Sequence, residues 1–415
     1  MGSQSGAKTV GAPWVLRALG IWGPGLLVML ADTDAGNVVT AADAGARFGY
    51  RLLPLTLLLA PALYLLQELT LRLGVATGRG HAELIRERYG LPWAVIAVGG
   101  LAAAAIGSLV TEFTGVAGVG EMFGAPRSAT LPLAALALLA IVASSSYRRI
   151  ERAALVIGLF ELAFFFVAWK ARPDWALIAR QAVSAPIHDR QFLLLAAGII
   201  GATFNPWMVF YQQSATADKR LGADDLPHAR ADTGVGAALT QSLTGAVLIA
   251  TAAVFGSQGA ARSLTSVGQI GAAMAPALGD APGRIVFGAG VLGASLVAAI
   301  VASLALAWGV GEILGLKRTL ERRPFASGWF FVAYAAAVVG SAALVGAARD
   351  LVWLNVAAQA LNAFLMPLVV GFLVALAATV LPKPLALSRT RLRVVIAVAV
   401  AVSALGLAAA IGAML

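Results

Sequence analysis

Apolar stretches long enough to cross a bilayer recur from one end of this chain to the other, separated by short polar segments. Crossing about 30 Å of hydrocarbon takes about 20 helical residues. Eleven segments meet that length, at 20–43, 52–73, 92–122, 128–146, 153–170, 192–214, 234–257, 284–314, 328–348, 351–380 and 393–415. Inside lipid the backbone has to satisfy its own hydrogen bonds, so apolar runs of this length read as helices. Of the 415 residues, 60% are hydrophobic and 12% charged. A soluble domain carries about 25% charged residues. The expectation is an all-α integral membrane protein, a single membrane domain over residues 1–415 with no appended catalytic domain.

The chain has no cysteine, which excludes disulfides, thiolate metal sites and cysteine nucleophiles. Its three histidines, His81, His188 and His228, fall in segments that read as loops, so an imidazole site inside the membrane is not expected. A net charge of +10 is better explained by cytoplasmic loops rich in Lys and Arg than by nucleic acid, and no nucleic-acid partner is expected. With the N-terminus in the cytoplasm, twenty of the thirty basic residues fall inside and ten outside. That bias predicts a cytoplasmic N-terminus and an outside C-terminus in a multi-pass protein of the cell membrane. The opening MGSQSGAK does not read as a signal peptide. There is no His-Glu zinc motif and no Gly-x-Ser-x-Gly, so no enzyme is expected.

Two spans carry helix-breaking residues beside polar ones. The first reads LLVMLADTDAGNVVTAADAG, with Asp32, Asp34, Gly36 and Asn37 in its middle. The sixth reads LLLAAGIIGATFNPWMVFYQQ, with Asn205 and Pro206 in its middle. A carboxylate at bilayer depth costs about 2.5–3.5 kcal/mol on insertion scales, so such residues are retained for function. Pro206 has no N–H, and the carbonyl one turn earlier, Ala202, loses its partner. Breaks in the first and sixth helices are what two five-helix inverted repeats produce, at about 20–170 and 192–380, with 393–415 as an extra helix. Paired broken helices point to a carrier's midplane site. In the tenth span Asn355, Gln359 and Asn362 recur on one helical face and are candidates for lining the cavity or, equally, for hydrogen bonds between helices.

At these residues the chain resembles the NRAMP family of divalent-metal transporters. The stretch GPGLLVMLADTDAGN, then AGARFGY and RLGVATGRG, is similar to the family's first two helices and following loop. SYRRIERAALVIGLFELAFFF with RPDW resembles the fourth loop and fifth helix, and GIIGATFNP the start of the sixth. The resemblance covers most of the chain to about residue 216 and implies a LeuT-type fold with helices one and six unwound. The family's Asp-Pro-Gly-Asn reads Asp34-Ala35-Gly36-Asn37 here, keeping both ligating side chains. Its Met-Pro-His reads Asn205-Pro206-Trp207, and its pair of third-helix acids reads Glu112 and Gly115.

These departures set the expected function. Thioether sulfur favours transition metals, whereas carboxylate and amide oxygens suit Mg²⁺, Ca²⁺ and Mn²⁺. With Asn205 in place of the methionine, the chain resembles the NRAMP-related magnesium transporters. The expected metal ligands are Asp34, Asn37, the Ala202 carbonyl and Asn205. Asp32, Glu112 and Trp207 are further cavity candidates. With no site histidine and one third-helix acid of two, proton coupling is expected to be weak or absent. Glu112 heads the remaining acids, Glu68, Glu121, Glu161 and Glu312, that would restore it. The expectation is a secondary carrier of Mg²⁺ or Mn²⁺ with no cofactor beyond the transported ion and no obligate protein partner. The alternatives are a proton-coupled importer of Mn²⁺ or Fe²⁺ and a LeuT-type carrier of another small solute. The Ala-, Gly- and Arg-rich composition points to a bacterial source.

Overall fold

A computed structural model describes residues 23–143, 147–256, 264, 267–316, 328–348 and 351–414. The outermost residues of the first, fourth, seventh and eleventh predicted spans lie outside them, as do the side chains of Asn355 and Gln359. Each predicted span falls on helix. The first is α1 (Pro24–Leu30) followed by α2 (Ala35–Phe48), and the second is α3 (Leu53–Thr77). A short helix α4 (His81–Tyr89) leads into α5 (Leu91–Met122) and α6 (Arg127–Ala143). The fifth span is α7 (Tyr147–Gly158) and α8 (Ala163–Lys170), joined by a 3₁₀ turn at Leu159–Leu162. After α9 (Trp175–Ala182), the sixth span divides into α10 (Arg190–Thr203) and α11 (Pro206–Asp218). There follow α12 (Leu226–Gly256), α13 (Val267–Leu278), α14 (Asp280–Leu314), α15 (Gly328–Ala347), α16 (Leu351–Thr379) and α17 (Arg389–Met414). Among the described residues, eight helical stretches are long and apolar enough to cross a membrane, and Arg127–Ala143 and Phe364–Thr379 are shorter apolar helices.

The helix ends follow from local chemistry. Pro24 and Pro92 sit in first turns, where a missing N–H costs nothing. Gly78, at φ 63°, closes α3 in the left-handed conformation that glycine adopts without strain. Two starts differ from expectation. The fifth span begins at Tyr147 instead of 153, because Tyr147, Ile150 and Glu151 turn inward while Arg149 and Arg152 stay exposed. The seventh begins at Leu226 instead of 234, because Asp232 is spent on another helix's backbone. Two histidines are also not in loops: His81 opens α4 and is fully buried, and His228 lies in the first turn of α12.

The burial pattern is that of a membrane protein. Leu58, Leu133 and Val400 face outward, each more than 60% exposed. Asp32, Asn37, Gln212 and Gln241 are buried. The central helix α5 packs on α14 and α16, and α12 lies against α1, α2 and α3. Near the end of α11, Glu312 accepts from the N–H groups of Ala82 (3.0 Å) and Glu83 (3.3 Å) and from the Ser214 hydroxyl (2.6 Å). His81 Nδ1 meets Gln213 Oε1 at 2.9 Å. These contacts fasten α4 and α14 to the second half of the sixth span.

Candidate functional site

The two breaks meet inside the bundle. After α1 the amides of Asp32 and Thr33 reach only three residues back, to Met29 (3.1 Å) and Leu30 (3.0 Å), and the helical ladder ends. It restarts at Ala35 with Asp34 as the cap, whose Oδ1 accepts from the Asn37 N–H at 2.7 Å. A second carboxylate, Glu112 Oε2 from α5, accepts from the Ala35 N–H at 3.2 Å. Helix N-termini carry unpaired N–H groups and partial positive charge, so both carboxylates are bonded and electrostatically favoured there. The Asn37 side chain turns back and donates to the Asp32 carbonyl at 2.9 Å.

The other break follows from Pro206. Without its N–H the Ala202 carbonyl has no helical donor, and the Asn205 side chain supplies one: Nδ2 donates to Ala202 O at 3.2 Å. The same nitrogen donates to Asp32 Oδ1 at 3.3 Å, so one amide group joins the two broken helices. The other end of the Asn205 amide, Oδ1, accepts from Asn362 Nδ2 of α16 at 3.2 Å. Asn362 Nδ2 also reaches Ser108 Oγ at 3.3 Å, and Ser108 Oγ accepts from the Trp207 indole N–H at 2.8 Å. Asp32, Asp34, Asn37, Ala202, Asn205, Trp207 and Asn362 are all buried. Asp32 Oδ2, Asn37 Oδ1 and Asn362 Oδ1 have no hydrogen-bond partner among the described residues.

Of the predicted residues, then, Asp32, Asp34, Asn37, Ala202 and Asn205 come together at the breaks. Asp32, separated from Asp34 by about 200° on an intact helix, is at the junction because residues 31–34 are unwound. Trp207 is turned toward α5. Glu112 serves the backbone of α2. Sequence reasoning passed over Ser108, which ties Trp207 to Asn362. It also passed over Asp232, whose carboxylate accepts from the N–H groups of Gly23 (3.2 Å), Gly25 (2.8 Å) and Leu26 (3.2 Å) at the start of α1. The signal for both was a polar residue within or at the edge of an apolar run.

Gly115 accounts for the missing third-helix acid. A Cβ built there would lie 2.5 Å from Ser295 Oγ and 2.7 Å from the Ala35 Cβ. Any side chain would push α5 away from the start of α2. Among the described residues no group of three or more His, Cys, Asp or Glu is placed to hold a metal ion.

The family model described as natural resistance-associated macrophage protein-like, Nramp, matches residues 25–412. This chain belongs to the Nramp family. Members of the family are transporters and not enzymes. The divalent metal cation transporter MntH of Ralstonia nicotianae is 32% identical over 319 residues, which is 72% of this Nramp chain and 69% of its own length. MntH of Burkholderia ambifaria is 28% identical over 369 residues, 86% of this chain and 80% of its own. A crystal structure of the Eremococcus coleocola manganese transporter, in complex with an aromatic bis-isothiourea substituted compound, matches with a TM-score of 0.79 at 18% identity. It covers 96% of this chain and 87% of that one. The structure of MhsT in complex with L-phenylalanine matches with a TM-score of 0.60 at 15% identity, over 95% of this chain and 98% of its own. These likenesses show an all-helical, LeuT-type fold.

Proposed function

We propose that this Nramp chain is a secondary carrier of a hard divalent cation, Mg²⁺ or Mn²⁺, with weak or no proton coupling. The observation that carries the reading is the junction of the two breaks. There the Asp32 and Asp34 carboxylates, the Ala202 carbonyl and the Asn37 and Asn205 amides converge, with Asp32 Oδ2 and Asn37 Oδ1 still unbonded. Asp34, Asn37, the Ala202 carbonyl and Asn205 are the proposed ligands, an oxygen set suited to hard cations. The divalent charge is supported by the relatives named as divalent metal cation transporters. Weak coupling is supported by Trp207 and Gly115 at positions where the family carries a histidine and an acid.

The proposed topology is eleven crossings in two five-helix inverted repeats, about 20–170 and 192–380, plus the helix near 393–415. The second and seventh spans, α3 and α12, pack on one another, as do the third and eighth, α5 and α14, and α1 meets α11, contacts that support a two-fold relation through the breaks. The charge bias supports an N-terminus in the cytoplasm and the C-terminus outside, in the cell membrane.

A second reading, a proton-coupled importer of Mn²⁺ or Fe²⁺, is favoured by one observation: Glu112 and Glu161 are buried carboxylates in the spans that flank the first break. Flux into proteoliposomes, with dyes for Mg²⁺, Mn²⁺ and pH inside, separates the two. Entry of both ions, lost in Asp34→Ala and without internal acidification, is the expected result. Acidification that follows the metal would move the assignment to the second reading. Flux indifferent to Asp34 would remove the metal site itself.

A further inference from the structure

The Asn205 amide nitrogen occupies the place where a cation would be most useful. It donates to the Asp32 carboxylate at 3.3 Å and to the Ala202 carbonyl at 3.2 Å. Those are two oxygens from two different broken helices, and neither has another hydrogen-bond donor among the described contacts. An NH₂ group bridging two oxygens does what a bound cation does, with weaker charge. It cannot coordinate a cation itself, because only the oxygen end of an amide is a ligand. The oxygen end points the other way, to Asn362 Nδ2 at 3.2 Å.

We infer that the Asn205 amide is a built-in substitute for the transported cation, which turns over when the ion enters and returns when it leaves. This rests on the metal-carrier reading above. When the ion arrives at the proposed ligands it takes the Ala202 carbonyl from the NH₂ group, and its charge replaces that group beside Asp32 Oδ1. The amide rotates and presents Oδ1 to the ion, and its NH₂ group swings to α16. Asn362 is equipped to receive it. Its own Oδ1 is buried without a partner, and rotation of that amide places the oxygen against the Asn205 nitrogen. Ser108 completes the exchange. Its Oγ accepts from Trp207 at 2.8 Å in either state, which leaves the hydroxyl hydrogen free to donate to Asn362 Oδ1 after the turn.

The consequence is for the empty carrier. A carrier working without protons has to return empty, and two buried carboxylates with no counter-charge oppose that step. Carriers coupled to protons meet this cost by protonation. Here the amide bridges the site, so the empty protein closes over it at neutral pH. Asn362 is a positioning residue in this scheme and Asn205 is both ligand and substitute.

The test compares two fluxes of Mn²⁺ through the full chain in proteoliposomes. Exchange of internal for external Mn²⁺ never requires the empty carrier to cross, whereas net entry into Mn²⁺-free vesicles does. Asn205→Asp keeps an oxygen ligand and removes the donor. The expected result is that net entry at pH 7 falls about tenfold relative to exchange, the factor for losing one buried hydrogen bond to a charged group. Asn362→Leu shifts the same ratio by a smaller factor and adds nothing in the Asn205→Asp background. If net entry and exchange fall together in Asn205→Asp, Asn205 is a ligand only and the substitution idea is overturned. If the intact chain shows neither flux, the metal-carrier reading fails instead.

Discussion

Asp232 holds the first half-helix in place, and removing it gives a prediction whose size follows from the structure. The carboxylate accepts three backbone hydrogen bonds, from Gly23, Gly25 and Leu26, at 3.2, 2.8 and 3.2 Å. It is 1% exposed and sits at the start of the seven-residue α1, whose Leu27, Val28 and Met29 are buried in the bundle. A hydrogen bond to a charged group contributes roughly 1.5–3 kcal/mol when it replaces water. Three bonds share one carboxylate here, and water satisfies the freed N–H groups once α1 moves, so about 2–3 kcal/mol is a fair net figure. That is about 30- to 150-fold in the ratio of released to docked α1. The native chain has no cysteine, so a single Ala31→Cys provides one thiol at a fully buried position at the break. Its reaction with a water-soluble methanethiosulfonate, on protein purified in detergent, reports how often α1 leaves. Asp232→Ala should speed labelling by at least thirtyfold. Asp232→Asn keeps one acceptor oxygen and should speed it about fivefold. If both variants label at the parent rate while remaining monodisperse, the clamp is not what holds α1 and the reasoning is refuted.

Gly115→Ala should destabilise the fold by about 1–3 kcal/mol, the usual cost of overpacking, because its Cβ meets Ala35 and Ser295; a melting curve identical to the parent's would show that α2 and α5 have room to spare. Burial pushes the His81 imidazole down to about 4, against the opposing hydrogen bond to Gln213. The unfolded chain, with a value near 6.5, then binds the extra proton between those two limits, so stability falls as pH drops through that window, by about 3 kcal/mol in all. His81→Gln should flatten the difference in melting temperature between pH 7 and pH 5, and an unchanged difference would assign the pH dependence to other groups. Asn205→Met puts a soft ligand at the sixth-helix break, and Mn²⁺ should then outcompete Mg²⁺ for entry several-fold more strongly than in the parent. Competition flux measures it, and an unaltered preference would mean that residue 205 does not touch the ion.

The sequence by itself determined the spans and where two of them break. Apolar length is a local property, and so are the missing N–H of Pro206 and the cost of carboxylates at bilayer depth. The helical segments therefore appear where the residues place them, to within several residues at the ends. The exceptions are instructive: α7 and α12 begin early because Glu151 and Asp232, which read as loop residues, have partners far along the chain. Asp232 bonds residues more than 200 positions away, and no local pattern encodes that. Only the tertiary structure decided which atoms meet. Asp32 joins Asn205, and Glu112 caps α2, once the breaks are folded against each other. Gly115 reads in the sequence as a lost acid, while in three dimensions it is the only residue small enough for the place. Which end of an amide faces the site depends on neighbours from three other helices, and that information exists only when those helices are packed.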